Sequence, residues 1–431
     1  MWRRARLALL VGGSGGLLAV SVATALGGSG LTPIEQLGRS LFFDQRLSLN
    51  ENQSCASCHD PAWGGTGPDA AINAGGAVYE GSVPGAFGDR KPPSSTYATL
   101  SPILHQEKDG TWVGGNFWDG RATGEKLGNP AADQAQGPFL NPKEQALADS
   151  ACVVLRACTA ESYPINLDDV WSGTCDIAWP GGAEAADTTC RAGGELALAA
   201  GDRDRVEMTY DRIALAIAAY EGSDEVNAFT SKYDLAFGAR AKDLGLDKPK
   251  LNTEEMRGHA LFRGKGGCAA CHPAGKEALF TDFTFDNLGV PSNPENPAVM
   301  TDPSFVDLGL GGFLERAGYD EDAWEQELGK QKVPSLRNVD LRPAPGEVKA
   351  YSHNGYFKSL EGIVHFYNTR DVLAVCPGPY TEAEALAADC WPAPEVADNV
   401  NRDELGNLGL TPGEEAAIVA FLRTLSDGYG R

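Results

Sequence analysis

The chain has 431 residues, with 36 Lys and Arg against 59 Asp and Glu, so its formal net charge at pH 7 is −23. This negative excess argues against nucleic acid or an anionic membrane as a partner and favours a protein partner with a basic surface. The 52 Gly and 26 Pro indicate long loops between the elements of regular structure.

The first segment in chain order has the pattern of a secretory signal. Three arginines within the first six residues precede an apolar stretch over 7–26, which contains the signal-peptidase-like site Ala-Thr-Ala at 23–25. We therefore expect residues 1–25 to be a signal peptide of a periplasmic protein from a Gram-negative bacterium, soluble after cleavage. A retained membrane anchor is the alternative, which the several glycines of the stretch disfavour.

Two copies of the string CxxCH, at 55–59 and 268–272, carry the strongest chemical signal. In this string both thiols attach a haem through thioether bonds, and the histidine binds the iron. A zinc site is the alternative, but it needs further Cys or His at short spacing, which both copies lack. We predict two covalent c-type haems. The attachment residues are Cys55, Cys58, Cys268 and Cys271, and the iron ligands are His59 and His272.

The surroundings of the two motifs also repeat. Residues 35–42, EQLGRSLF, align with residues 255–262, EMRGHALF, so that Glu, Gly, Leu and Phe recur in register. A helix-start signal precedes each segment, Thr32-Pro33 in one case and Asn252-Thr253 in the other. This repetition predicts a duplicated haem domain.

Helical patterns dominate the rest of the chain, for example over 210–220 and after the capping box at 411–414. Convincing alternating strands are scarce, so we predict an all-α fold. The length suits two domains, and the second repeat places their boundary near the polar stretch 241–250. We expect an N-terminal haem domain over 31–245 and a C-terminal haem domain over 246–431.

Six of the ten cysteines lie outside the haem motifs, and this even number suits an oxidising compartment. Cys376 and Cys390 share one Pro-rich loop and form the easiest disulfide pair. The other four lie in an insertion over 150–194 and can pair in three ways; they are Cys152, Cys158, Cys175 and Cys190. A catalytic thiol is the alternative, but none of the six has a histidine nearby.

Further short strings complete a set. FWDGR, QAQGP and NPKE lie between the haem motifs, starting at 117, 134 and 141, and VPSLRN and HNG follow the second motif, starting at 333 and 353. In this order they resemble the bacterial di-haem cytochrome c peroxidase and MauG superfamily over nearly the whole chain after the signal segment. The resemblance implies two cytochrome c-like domains, with hydrogen peroxide reacting at the first haem and the second haem handling electrons.

The resemblance also implies roles for three residues. The FWDGR tryptophan, here Trp118, lies between the haems and carries electrons or holes. Gln134 and Glu144 line the distal pocket of the first haem, where splitting peroxide requires a base and an acid. Without these neighbours, Trp118 would be interpreted as a packing aromatic and Glu144 as a surface carboxylate.

The axial ligand of the second haem sets the subclass. Most members have methionine fourteen residues after the histidine of the HNG string, and here Tyr367 stands fourteen residues after His353. This resembles the MauG-like branch, and a phenolate stabilises oxidised iron whereas a thioether favours reduced iron. The alternative is that Tyr367 is a core residue and that His365 or Met300 binds the iron.

The loop over 63–83 contains no histidine, although many family members carry one there that blocks the first haem until reduction. The first haem is therefore expected to be five-coordinate and open to peroxide. His105, from a later loop, is the alternative blocking ligand.

The family usually binds calcium between its domains through an asparagine in an RNAPT string, but this chain reads RKPPS at 90–94. Because the lysine cation cannot bind calcium, we do not expect a calcium ion. Lys91 or Arg342 is expected to supply positive charge in its place.

These observations favour a periplasmic di-haem oxidoreductase that reacts with hydrogen peroxide at the first haem and oxidises a protein substrate through the second. One alternative is a cytochrome c peroxidase that takes electrons from a small cytochrome as protein donor. The other is a non-enzymatic di-haem electron carrier. Glu144 and Gln134 argue against the carrier, since a carrier needs no distal acid and base.

Overall fold

Helices joined by long loops provide most of the regular structure in the computed structural model, which describes residues 30–275 and 277–430. The predicted signal peptide over 1–25 lies outside these residues. Within the described part of the chain, no helix combines the length and apolarity needed to cross a membrane. Residues 31–431 cluster as one compact unit.

The α-helices are α1 Pro33–Phe42, α2 Ala70–Ala74, α3 Pro130–Leu140, α4 Ser150–Cys158, α5 Leu167–Val170, α6 Ala183–Arg191, α7 Ala200–Glu221, α8 Lys232–Phe237, α9 Arg240–Asp243, α10 Thr253–Arg263, α11 Pro297–Thr301, α12 Gly309–Arg316, α13 Glu321–Trp324, α14 Leu360–Thr369, α15 Glu382–Ala388 and α16 Pro412–Leu422. The strands are β1 His105–Gln106, β2 Trp112–Val113, β3 Phe285–Asp286, β4 Gln331–Lys332, β5 Ala374–Val375 and β6 Cys390–Trp391. They form antiparallel pairs β1–β2 and β3–β4 and the parallel pair β5–β6. The helical content agrees with the predicted class, and the short strand pairs are an addition to it.

The predicted helix starts are confirmed, because α1, α10 and α16 each begin directly after the expected capping residue. In each case the glutamate three residues after the capping residue accepts a hydrogen bond from the backbone N–H of that capping residue. The donor–acceptor distances are 2.6 Å from Thr32 to Glu35, 2.7 Å from Asn252 to Glu255 and 2.9 Å from Thr411 to Glu414.

The sequence repeat appears as two equivalent helix pairs, α1 on α7 and α10 on α16. The crossing points are Gly38 and Gly258. A Cβ atom at Gly38 would lie 1.8 Å from the backbone oxygen of Ala216, and one at Gly258 would lie 1.8 Å from that of Ala417. Both crossings therefore require glycine, which explains why it recurs in register.

Two main hydrophobic cores follow the repeat. The first combines α1, α4 and α7, and the second combines α10, α14 and α16. Tyr233 of α8 packs against Phe280 and Phe421 of the second core, with ring centroids 5.0 and 6.0 Å apart. Tyr233 thus packs in the second core, although it precedes the domain boundary predicted at 245/246.

The cysteines outside the haem motifs form three disulfides. Cys376 pairs with Cys390 as predicted, and the insertion contains the pairs Cys152–Cys190 and Cys158–Cys175. Helix α4 of the insertion is almost fully buried and packs against α7. The start of the insertion is therefore part of the first core.

Candidate functional site

The first CxxCH motif borders a cavity of about 590 Å³ that is lined by Cys55, Cys58 and His59. A 3-10 turn over Cys55–Ser57 brings both thiols and the histidine to the same cavity. The Nδ1 of His59 donates to the backbone oxygen of Gly65 at 3.1 Å, because a carbonyl can only accept. This bond fixes the tautomer and leaves Nε2 available to iron. Desolvation lowers the pKa of His59, which keeps the imidazole neutral as a metal ligand.

The second motif repeats this arrangement at a cavity of about 220 Å³ lined by Cys268, Cys271 and His272. The Nδ1 of His272 donates to the backbone oxygen of Phe280 at 2.9 Å, and desolvation again lowers the histidine's pKa. None of the four motif cysteines forms a disulfide, and burial raises the pKa of each thiol. Two thiols and one neutral imidazole facing each cavity are the groups that a c-type haem requires, so the residues fit two haems.

Glu144 and Gln134 both line the first cavity, together with Arg121. Gln134 projects from α3, and Glu144 lies in the turn that follows this helix. The backbone oxygen of Glu144 accepts a hydrogen bond from the N–H of Ser82 at 2.6 Å. Burial raises the pKa of Glu144, and the charge of Arg121 partly opposes this effect. A raised pKa makes the carboxyl group easier to protonate, which suits a general acid.

Sequence reasoning missed another carboxyl group in this cavity that has a raised pKa. Glu221, the last residue of α7, is only 4% exposed and lines the same wall as Cys55. Burial raises its pKa to about 8. The available signal was its spacing, since Glu221 follows Ile217 by one helical turn on a face that is otherwise apolar.

His105 lies away from the first cavity, on the exposed strand β1. Its Nδ1 donates to the backbone oxygen of Ile103 at 2.8 Å, and its Nε2 lies 3.1 Å from a Glu107 carboxylate oxygen. Of the described residues, His59 is the one histidine in the lining of this cavity. The described structure thus offers no histidine that could block the first haem.

Trp118 lines both cavities and is 8% exposed. Its Nε1 donates to the backbone oxygen of Lys91 at 2.8 Å, and its own backbone oxygen accepts from the N–H of Lys332 at 2.7 Å. The ring of His353 packs edge-on against the indole, with the centroids 6.5 Å apart. The tryptophan is therefore fixed between the two cavities.

A buried charge cluster lies beside Trp118. The Arg90 guanidinium bonds Asp119 at 2.7 Å and Asp307 at 2.6 Å, and both carboxylates are almost fully buried. The Arg90 charge holds the pKa of Asp307 well below its usual range, despite the opposing effect of burial. The Asp307 carboxylate is therefore anionic. Asp307 had no signal in the sequence.

Tyr367, on α14, lines the second cavity with Cys268, Cys271 and His272. Burial raises the pKa of its hydroxyl. The two alternative ligands lie elsewhere, because His365 faces Glu415 with 3.1 Å between Nδ1 and Oε1, and Met300 is 70% exposed. Of these three candidates, only Tyr367 is among the residues that line this cavity.

The residues at the expected calcium position do not fit a metal ion. Lys91 is buried, and its Nζ donates to Thr66 Oγ1 at 2.9 Å and to the backbone oxygen of Pro92 at 3.0 Å. Burial lowers the Lys91 pKa to about 7. Arg342 instead pairs with Asp340 at 2.9 Å. The oxygens that could bind a metal ion here thus already accept hydrogen bonds from the Lys91 side chain.

Comparison with known proteins agrees with this geometry. The family model of di-haem cytochrome c peroxidase matches residues 33–242. The methylamine utilization protein MauG of Paracoccus denitrificans is 34% identical over 398 residues, 91% of this chain and 88% of that protein. The cytochrome c551 peroxidase of Nitrosomonas europaea is 28% identical over 76% of this chain and 71% of its own.

Among solved structures, the diheme peroxidase BthA from Burkholderia thailandensis superposes with a TM-score of 0.67 at 30% identity. The match covers 93% of this chain and 90% of BthA. With the MauG relative covered over most of its length, these matches establish the family. The chain belongs to the di-haem cytochrome c peroxidase and MauG family and is a di-haem peroxidase.

Proposed function

We propose that this peroxidase reacts with hydrogen peroxide at the first haem and withdraws electrons from a protein substrate through the second haem, in the periplasm. The observation that carries the proposal is Tyr367 in the lining of the second cavity. A tyrosine oxygen suits oxidised iron, whereas a thioether favours reduced iron. The single histidine, His59, among the described residues lining the first cavity supports direct access of peroxide.

When bound, haem supplies an iron centre that exchanges electrons with peroxide. One peroxide takes up two electrons and two protons and yields two waters, so a substrate must lose two electrons. In the first cavity Glu144 accepts the proton from the near peroxide oxygen and returns it to the departing oxygen, and its raised pKa suits both steps. The amide of Gln134 orients peroxide by hydrogen bonding.

Trp118 relays electrons between the two cavities that it lines. Because the backbone oxygen of Lys91 is a poor base, the indole keeps its Nε1 proton during transfer. Beside the indole, the buried carboxylates of Asp119 and Asp307 form ion pairs with Arg90. In the second cavity Tyr367 would hold the haem iron through its oxygen, and the metal charge would oppose the effect of burial on the hydroxyl.

A second candidate function is that of a cytochrome c peroxidase, in which a small cytochrome supplies both electrons. The relative named cytochrome c551 peroxidase favours this candidate. A pure electron carrier is disfavoured, because Glu144 and Gln134 in the first cavity would then have no task.

The experiment compares two electron sources for the fully oxidised holoenzyme supplied with peroxide. One source is a reduced small cytochrome c, and the other is a pair of side-chain probes, N-acetyl-tryptophanamide and N-acetyl-tyrosinamide. We expect the wild type to oxidise the probes without prior reduction and Tyr367→Met to lose this activity. Fast turnover with cytochrome c alone, with unreacted probes, would establish the second candidate instead.

A further inference from the structure

A buried lysine joins the two haem-binding parts of the chain. Lys349 is 4% exposed, and its Nζ donates to the backbone oxygens of Trp63 at 2.8 Å, Asn338 at 2.8 Å and Leu341 at 3.0 Å. An ammonium group has three protons and a neutral amine has two, so three acceptors require the charged form. The three converging carbonyl oxygens form a cation site in which Nζ is the cation.

One of the three carbonyl groups, that of Trp63, belongs to the segment that orients the first haem ligand. Trp63 precedes Gly64 and Gly65, whose φ values of 68° and 70° make a left-handed turn, and the backbone oxygen of Gly65 accepts the Nδ1 proton of His59. A Cβ atom at Gly64 would lie 3.0 Å from the Lys349 Nζ. The turn that orients His59 is therefore in direct contact with the Lys349 ammonium group.

A second carbonyl group, that of Asn338, belongs to a segment that lines the second haem cavity. Asn338 ends the VPSLRN string, and this string lines the second cavity together with Lys349 itself. The N–H of Asn338 donates to the backbone oxygen of Leu425 at 3.1 Å, and Leu425 is part of the second core. Lys349 thus fastens the turn beside the first haem to the wall of the second.

The surroundings make this charge costly. Lys91 and Arg342 repel the Lys349 ammonium, Asp340 attracts it, and burial lowers its pKa well below the usual value. A methionine or leucine side chain could fill the same volume without the cost of desolvating a charge. The three carbonyl groups, however, would then lack donors. The charge is thus required by the geometry of the segments that it joins.

We propose that the Lys349 ammonium is a built-in cation that holds the His59 turn against the second-haem segment, so that positioning the two haems requires no bound calcium. Lys349 is a positioning residue, because it acts through the Gly64–Gly65 turn and Asn338. The inference depends on haem attachment at the two motifs and is independent of the peroxide chemistry.

The test uses resting ferric holoenzyme without peroxide, which separates it from the proposed function. EPR spectra and the midpoint potentials of both haems are measured for the wild type, Lys349→Met and Lys358→Met. Lys358 is the matched control, since its partly buried ammonium also donates to backbone oxygens, those of Gly75 and Gly355. We expect Lys349→Met to shift the EPR signal and potential of one haem, and Lys358→Met to shift neither.

The wild type is also dialysed against EGTA and then titrated with calcium. We expect its spectra to stay unchanged in both steps. A wild type whose spectra change with EGTA and recover with calcium would overturn the proposal, as would wild-type spectra and potentials in Lys349→Met. If Lys349→Met fails to load haem, Lys349→Gln, which keeps two amide protons, replaces it with a smaller expected shift.

Discussion

Of the carboxyl groups that line the first cavity, Glu144 and Glu221 each have a pKa that burial raises. They differ in their neighbours. Glu144 also feels the charge of Arg121, whereas burial alone accounts for the shift at Glu221. Because their environments differ, we expect Glu144 to act in proton transfer and Glu221 to remain a neutral acid in the cavity wall.

Replacing Glu144 with Gln is expected to slow peroxide cleavage by roughly 10² to 10⁴, the contribution typical of general acid-base groups. The amide keeps the shape of the side chain but cannot exchange the proton. Stopped-flow mixing of holoenzyme with peroxide measures the rate, and the exposed Glu125→Gln serves as control. A wild-type rate in Glu144→Gln would remove Glu144 from the mechanism.

Glu221 predicts a pH dependence of stability. Its folded-state pKa of about 8 lies above the ordinary value of 4.5, so between these values the folded state holds a proton that the unfolded state loses. The free energy of unfolding therefore falls as pH rises from 4.5 to 8. We expect Glu221→Gln to reduce this loss, seen as a smaller drop in melting temperature between pH 5 and pH 8. An equal drop in variant and wild type would show that Glu221 does not titrate as described.

Motif residues were predictable from the sequence because the chemistry of haem attachment acts over five adjacent positions. Asp307 and Lys349 were not, because their surroundings come from segments far apart in the chain. Lys349, for example, meets Trp63 across 286 positions. No local spacing encodes such a contact.

Among the secondary-structure elements, the two helix pairs determine where the haem motifs lie. Capping boxes and apolar periodicity were sufficient to predict α1, α10 and α16, whereas strands of two residues are too short to show alternation. Disulfide pairing in the insertion stayed open at the sequence level for a related reason. It depends on the approach of α4 to α6, which brings Cys152 to Cys190.

The crossing of α10 and α16 makes a stability prediction. In Gly258→Ala the new Cβ would lie 1.8 Å from the backbone oxygen of Ala417, so the helices must separate. We expect a loss of at least about 1–3 kcal/mol in the free energy of unfolding of the haem-loaded protein. The control is Gly413→Ala on α16, where the nearest atom is 3.8 Å away. Equal thermal melts for both variants would contradict the close crossing.

At the scale of the whole molecule, Trp118 is an aromatic side chain shared by the two cavities. We expect Trp118→Phe to slow electron transfer between the haems, because phenylalanine is much harder to oxidise and lacks the bond to Lys91. Flash photolysis of half-reduced holoenzyme measures this rate. Trp112→Phe is a matched control, since Trp112 is equally buried at 7% exposure but lines neither cavity. Unimpaired transfer in Trp118→Phe would mean that another path connects the haems.

The central claim is that peroxide reaches the first haem of the fully oxidised enzyme and that Tyr367 binds the second. The most direct measurement is an optical and EPR titration of purified, haem-loaded, fully oxidised protein with stoichiometric peroxide. We predict a resting spectrum with one high-spin and one low-spin signal, both of which peroxide bleaches to a long-lived oxidised species. Two low-spin haems that stay inert until one is reduced would contradict the account.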